Sequence, residues 1–223
     1  MSAGAGPPPP LFSRRADKVM RAMLVLAATV VVGVPLLLMG WVRTPEARGL
    51  HVAVEQPVPF DHLLHVTGFR IDCRYCHDLV EHTPFAGVPP TDKCIPCHNR
   101  VTLDGPLMAQ VRRSAASGRP IPWVRVNSLP DFVFFNHAIH VDKGVGCETC
   151  HGRVDRMSRI EQTAPLTMSW CLDCHRQPER YLRPVEAMTD MGWKPDKPQL
   201  ELGRELKARY GVRELTNCTA CHR

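Results

Sequence analysis

One long apolar segment stands out in the hydropathy pattern of this chain. Residues 22–42 carry no charged side chain and are rich in Leu, Val and Ala. A helix of about 20 apolar residues spans the hydrocarbon core of a bilayer. No small-x-small cleavage site follows the segment, as one would in a signal peptide. The pattern therefore predicts an uncleaved membrane anchor at residues 20–42, followed by a linker at residues 43–59.

Basic side chains precede the anchor at Arg14, Arg15, Lys18 and Arg21. Lysine and arginine accumulate on the cytoplasmic side of a membrane helix. Residues 1–19 are therefore expected to form a cytoplasmic tail, and residues 60–223 to lie on the periplasmic side of the inner membrane.

The remainder of the chain shows no long helical period, and 21 prolines in the sequence interrupt many segments. One short helix is predicted from Pro106 to Gly118, capped by Asp104 or Gly105. The segment from Trp123 is expected to be extended. We expect a mainly irregular chain with short α-helices and little sheet.

A second short helix is predicted between Pro198 and Gly211. Its apolar residues recur at every fourth position, as on one face of a helix; they are Leu202, Leu206 and Tyr210.

A histidine motif occurs twice, with a period of 135 − 60 = 75 residues. The first copy, F-D-H-L-L-H-V, starts at Phe60, and the second, F-N-H-A-I-H-V, starts at Phe135. Each copy is followed by two C-x-x-C-H motifs. The chain is thus predicted to contain two modules, residues 60–100 and 135–176, and a separate C-terminal motif at residues 218–222.

Five C-x-x-C-H motifs use all ten cysteines of the chain. In c-type haem attachment the two cysteines form thioethers with the haem, and the next histidine binds the iron. A tetrahedral zinc site does not require a histidine after every second cysteine, and a disulfide framework leaves these histidines unexplained. We therefore predict five covalently bound haem c groups. The attachment cysteines are Cys73, Cys76, Cys94, Cys97, Cys147, Cys150, Cys171, Cys174, Cys218 and Cys221, and the proximal ligands are His77, His98, His151, His175 and His222.

Each six-coordinate haem needs a second axial ligand, normally His or Met. The histidines of the repeat are spaced i, i+3, so both imidazoles lie on one side of a helical turn and two neighbouring haems can each take one. The predicted distal ligands are His62, His65, His137 and His140. For the fifth haem we predict Met168, with Met188, Met191, His51 and His82 as alternatives.

The net charge of +6 is carried mostly by arginine, which supplies 22 of the 28 cations. Arginine pairs with planar carboxylates, so haem propionates are expected partners for Arg70, Arg74, Arg125, Arg153 and Arg176. No clustered basic stripe is present, and no nucleic-acid partner is expected.

The F-x-H-x-x-H-V motif ahead of C-x-x-C-H resembles the class III, cytochrome c3/c7-like multihaem cytochromes. The resemblance implies that His62 serves the Cys73/Cys76 haem and His137 the Cys147/Cys150 haem, while His65 and His140 serve neighbouring haems.

Three linking segments resemble, more narrowly, the pentahaem cytochrome c subunit of alternative complex III. They are V-P-P-T-D-K-C-I-P-C-H (residues 88–98), I-P-W-V-R-V-N-S-L-P-D-F-V-F-F-N-H (residues 121–137) and L-T-M-S-W-C (residues 166–171). Relatives often have histidine where this chain has Asn127, which removes one possible ligand. The resemblance covers about residues 55–223.

This resemblance implies an electron-transfer subunit of a quinol:electron-acceptor oxidoreductase, with no substrate site of its own and no catalytic residue. The implied partners are polytopic membrane subunits and an iron–sulfur subunit of one complex. A periplasmic cytochrome c or copper protein, or an oxidase, would accept the electrons. Two alternatives remain: a stand-alone membrane-anchored multihaem quinol dehydrogenase, and a multihaem reductase with one open haem.

Overall fold

The computed structural model describes residues 13–101 and 105–222. It divides into two compact units, one ending at Arg48 and one spanning Gly49–Arg223. The expected tail at residues 1–12 and the candidate cap Asp104 lie outside the described residues.

The first unit is one long helix, α1, over Arg14–Trp41. It begins before the predicted anchor because the Ser13 side chain accepts a hydrogen bond from the Ala16 amide (3.2 Å). None of its side chains is buried in the unit. Its length and hydropathy are those of a membrane-spanning helix, so the structure is compatible with a single-pass anchor.

The second unit consists of short helices joined by irregular chain. The helices are α2 (Cys73–Cys76), α3 (Ile95–His98), α4 (Ala109–Ser117), α5 (His137–Asp142), α6 (Cys147–His151), α7 (Met168–Arg176), α8 (Gln199–Arg209) and α9 (Cys218–Cys221). A π turn spans Leu63–Gly68, and single 3₁₀ turns occur at Thr91–Lys93, Pro106–Met108, Val154–Arg156, Pro178–Arg180 and Val185–Ala187. Within residues 13–101 and 105–222 there is no strand, only isolated bridges such as Val133 with His222.

Both helices predicted between the motifs are confirmed. The 3₁₀ turn at Pro106 leads into α4, which ends at Gly118 with φ of 67°, a left-handed conformation that glycine adopts without strain. Helix α8 follows Pro198 as predicted, and Leu202 and Leu206 are buried. Tyr210 is the C-terminal capping residue of α8 rather than a member of it.

Among the described residues of this unit, buried apolar side chains form two small cores. The first contains Val58, Val111 and Ile121, and the second contains Leu182, Leu202 and Leu206. Many large apolar side chains remain exposed near the C-x-x-C-H motifs. They include Phe69, Tyr75, Leu79, Phe85, Val88, Phe132, Phe134 and Ile139.

We predict that Leu206→Ala destabilises the second unit by about 2–5 kcal/mol, because the substitution leaves a cavity in place of a fully buried side chain. Leu206 is 1% exposed, whereas Leu200 on the same helix is 44% exposed. Leu200→Ala is therefore the matched control and is expected to cost far less. Denaturant unfolding of both variants of the full chain measures the difference, and equal losses would contradict the packing described here.

Candidate haem sites

Each C-x-x-C-H motif forms one helical turn. The amide of His77 donates to the carbonyl of Cys73 (2.9 Å), and that of His222 donates to Cys218 in the same way (2.9 Å). Polar caps start some of these turns; for example, the Asp72 side chain accepts from the Arg74 amide (2.8 Å). The turn brings both cysteines and the histidine of a motif onto one local surface, as attachment of a single planar group requires.

The two copies of the histidine repeat differ in backbone but present their histidines in the same way. In the first copy the ring of Phe60 meets His62 edge-on (4.8 Å) and lies flat against His65 (4.3 Å). In the second copy Phe135 meets His137 edge-on (4.7 Å) and His140 at a small tilt (4.5 Å). The phenylalanine therefore holds the two imidazoles of each pair apart.

A capping residue fixes the second histidine of each pair. Asp61 accepts a hydrogen bond from the Leu64 amide at its side chain (2.9 Å), and its backbone carbonyl accepts from Nδ1 of His65 (2.7 Å). Asn136 plays the same two parts in the second copy, for Ile139 (3.3 Å) and His140 (2.7 Å). The sequence prediction assigned no role to these residues, although Asp and Asn are favoured at helix N-caps.

A π turn accommodates a difference in length between the copies. Cys73 is the eighth residue after His65, whereas Cys147 is the seventh after His140. A π turn contains one more residue than an α-helical turn. The first copy has the π turn at Leu63–Gly68, whereas the second has the regular helix α5.

Three distal candidates face three proximal candidates at one characteristic separation. The ring centres are 6.1 Å apart for His65 and His98, 6.4 Å for His137 and His151, and 6.1 Å for His140 and His175. Two imidazoles bound through metal–nitrogen bonds of about 2.0 Å on opposite sides of one ion would have ring centres about 6 Å apart. These pairs therefore fit an iron between them.

Burial, and after it the charge of His77, lowers the pKa of His62 to about 4. His62 Nδ1 is buried and has no hydrogen-bond partner among the described residues.

Hydrogen bonds fix the tautomer of most of these histidines. A backbone carbonyl only accepts, so a ring nitrogen facing it carries the proton and leaves the other nitrogen free to bind metal. Nδ1 donates to a carbonyl in His77 (Gly87, 2.9 Å), His98 (Val101, 3.2 Å), His137 (Pro84, 3.0 Å) and His222 (Phe132, 3.3 Å), as it does in His65 and His140. Nε2 is therefore the atom through which these rings would bind iron.

Burial favours the neutral form of several of these side chains. It lowers the pKa of His151 to about 4 and also lowers the pKa of His140 and His175. Burial raises the pKa of the Cys150 thiol to about 12 and that of Cys73 to about 11. The neutral imidazole is the form that binds metal.

The described residues contain neither a protein-only metal site nor a disulfide bond that would explain these motifs differently. Outside residues 1–12, 102–104 and 223, no group of three or more His, Cys, Asp or Glu side chains is placed to hold a metal ion by itself. None of the ten cysteines is in a disulfide bond. The motifs therefore fit a group that brings its own metal, and the exposed apolar side chains beside them fit its flat hydrophobic faces.

Contacts between motifs define which sites are neighbours. Lys93, just before the second motif, pairs with Asp78, just after the first (2.9 Å). Consecutive residues then join the first motif to the third: the Met188 carbonyl accepts from the Cys147 amide (3.2 Å), and the Thr189 hydroxyl donates to Asp72 (3.0 Å).

The third, fourth and fifth motifs adjoin one another through the second histidine repeat. His137 and His140 on helix α5 face the histidines of the third and fourth motifs. The Phe134 amide donates to the Cys221 carbonyl of the fifth motif (2.7 Å), and the next residue, Phe135, packs on His140.

The remaining predicted ligands are not brought to an imidazole partner in this way. Met168 is the first residue of α7, and 66% of its surface is exposed. His51 is exposed and pairs through Nδ1 with Glu161 (3.4 Å), and His82 is exposed as well. The fifth distal ligand stays a prediction.

Two of the arginines expected to meet propionates are already paired with carboxylates. Arg74 pairs with Asp72 (2.9 Å) and Glu81 (3.3 Å), and Arg153 pairs with Asp155 (2.5 Å). Local acidic neighbours two residues away occupy these guanidinium groups, which composition alone does not reveal.

A family match covers the part of the chain with the second repeat and the last three motifs. The profile of the family described as cytochrome c7 and related cytochrome c matches residues 133–223. This part of the chain is similar to the cytochrome c7-like multihaem family. The similarity supports the interpretation of its C-x-x-C-H motifs as haem-attachment sites.

A relative from Nitratidesulfovibrio vulgaris (strain Hildenborough) is 40% identical over 117 residues. It is the menaquinone reductase, multiheme cytochrome c subunit, and the matched part is 52% of this chain and 53% of that protein. The likeness therefore spans about half the length of the relative.

We predict that His137→Ala produces one high-spin haem in the haem-loaded protein, because the iron expected between His137 and His151 would lose an axial ligand. The matched control is Asp142→Ala, which truncates an exposed side chain on the same helix and is expected to leave the spectrum low-spin. Electron paramagnetic resonance of the full chain in detergent measures the difference. A fully low-spin spectrum for His137→Ala would remove this residue from the ligand set.

Proposed function

We propose that this chain carries five haem c groups and relays electrons as a subunit of a membrane quinol:electron-acceptor oxidoreductase of the alternative complex III type. The observation that carries the proposal is the set of facing imidazole pairs 6.1–6.4 Å apart. Iron bound on both sides is closed to substrate and suited to exchanging single electrons. The bound haems would supply that redox chemistry, while the protein holds them and adjusts their potentials.

The three facing pairs support a distal ligand for three attachment sites, and the family resemblance adds His62 for a fourth. His62 serves the Cys73/Cys76 site, with His77, and His65 serves the Cys94/Cys97 site, with His98. His137 serves the Cys147/Cys150 site, with His151, and His140 serves the Cys171/Cys174 site, with His175. Each repeat therefore supplies the distal ligand of two adjacent sites, one histidine for each, from a single turn.

The attachment sites follow one another in a single row. The order is Cys94/Cys97, Cys73/Cys76, Cys147/Cys150, Cys171/Cys174 and Cys218/Cys221. The ion pair supports the first step, and hydrogen bonds support the second step and, through Phe134, the last. The step between the Cys147/Cys150 and Cys171/Cys174 sites is supported by helix α5, whose His137 and His140 lie opposite the histidines of those two motifs.

This row differs from the order of the motifs in the sequence, because the first motif lies between the second and the third. The sites at Cys94/Cys97 and Cys218/Cys221 form its two ends. We infer that the redox partners approach the haem domain at these ends.

Met168 is proposed as the distal ligand of the Cys218/Cys221 haem. A thioether raises the reduction potential of a haem relative to two histidines. We predict that Met168→His lowers the potential of one haem without loss of haem, while Met191→His, the same change at a competing position, does not. A spectroelectrochemical titration of each variant measures this, and an unchanged titration for Met168→His would exclude it.

A test of the complex uses mildly solubilised membranes of the native host. Native electrophoresis with haem staining, followed by mass spectrometry of the stained band, identifies what the 25.0 kDa chain assembles with. The proposal predicts a large band with polytopic membrane subunits and an iron–sulfur subunit. A band of the chain alone, or of its small multiples, would contradict it and favour the stand-alone quinol dehydrogenase.

A second candidate function is electron delivery to a quinone rather than removal of electrons from a quinol. The observation that favours it is the name of the 40% identical relative, a menaquinone reductase subunit. The isolated complex separates the two directions. Rapid reduction of a high-potential cytochrome c by quinol supports the first function, and rapid reduction of menaquinone by a low-potential reduced cytochrome c supports the second.

A further inference from the structure

His151 differs from the other proposed axial ligands in what its Nδ1 atom meets. Six of the other rings donate from Nδ1 to a backbone carbonyl. Nδ1 of His151 instead lies 3.2 Å from Nδ2 of the Asn127 side chain. A carbonyl partner is set by the fold, whereas this partner is set by the identity of one residue.

The Asn127 amide is matched to a ring that must bind iron. When Nε2 of His151 binds metal, Nδ1 carries the proton and needs an acceptor. The Oδ1 atom of Asn127 is buried and has no hydrogen-bond partner within residues 13–101 and 105–222. A half-turn of the amide about its last bond brings Oδ1 to Nδ1 without changing the shape of the side chain.

The backbone around Asn127 is held from outside the site. The Gln56 amide donates to the Val124 carbonyl (2.9 Å) and accepts from the Val124 amide (2.9 Å). Ile121, at the start of the same segment, is buried in the first core. Asn127 therefore reaches His151 from a fixed segment.

We propose that Asn127 is a positioning residue that orients His151 and sets the reduction potential of the haem attached at Cys147 and Cys150. The proposal rests on the proposed role of His151 as an iron ligand. A stronger acceptor at Nδ1 makes the imidazole a better electron donor to the metal, which stabilises oxidised iron and lowers its potential. Removing the acceptor acts in the opposite direction.

The experiment is a spectroelectrochemical titration of the full, haem-loaded chain in detergent, with electron paramagnetic resonance of the oxidised state. Asn127→Asp supplies an anionic acceptor of the same size. At the wild-type midpoint of the affected haem, its ratio of reduced to oxidised form is expected to fall about tenfold, a shift of about 59 mV for a one-electron couple. Asn127→Leu removes the acceptor, and the same ratio is expected to rise.

Two controls separate positioning from charge and from general disruption. Ser128→Asp places the same charge on the neighbouring exposed residue and is expected to shift the potential less than Asn127→Asp. Gln56→Leu loosens the segment that carries Asn127 without touching a histidine, and it is expected to shift the potential in the same direction as Asn127→Leu but by less.

Opposite shifts for Asn127→Asp and Asn127→Leu, both larger than in the controls, would establish the role. An unchanged or raised potential in Asn127→Asp, or an equal lowering in Ser128→Asp, would overturn it, even if Asn127→Leu does not accumulate. The readout is independent of quinol chemistry. Failure of the complex to oxidise quinol would therefore leave this result standing.

Discussion

The proposed haem sites depend on one constraint, which is an imidazole on each side of the same iron. A proximal histidine is positioned by its own C-x-x-C-H turn, but its partner comes from a distant segment and must arrive at a separation of about 6 Å between ring centres. Three pairs meet this requirement in the structure. The protein core is small because the same folding that aligns these pairs leaves apolar surface facing the proposed haem positions.

The two repeats show how closely the chain follows this constraint. Asp61 and Asn136 cap the turn and orient the second histidine through their backbone carbonyls. Phe60 and Phe135 each lie against the second histidine of their own repeat and hold it apart from the first. Although the first copy has one more residue before its attachment motif, the π turn at Leu63–Gly68 absorbs it. The backbone thus differs between the copies while the histidines keep their arrangement.

Much of the secondary structure was predictable from local sequence patterns. The C-x-x-C-H turns, α4, α8 and the apolar helix α1 each follow from motifs, capping residues or hydropathy within a few tens of residues. The pairing of His65 with His98 and of His140 with His175 was not predictable from the residues alone, because it depends on how distant segments pack. The same holds for Asn127, whose contact with His151 joins positions 24 residues apart. Arg74 and Arg153 are paired with nearby carboxylates, and their pairing with haem propionates stays a prediction.

The number of haems is the central claim, and the intact mass of the full chain purified from its native membranes tests it most directly. The account predicts one species that carries five haem masses added to the polypeptide, because each motif forms a complete attachment turn and all ten cysteines are available. A homogeneous species with fewer than five would contradict it. Such a result would show that at least one of these turns, however well formed, is not an attachment site.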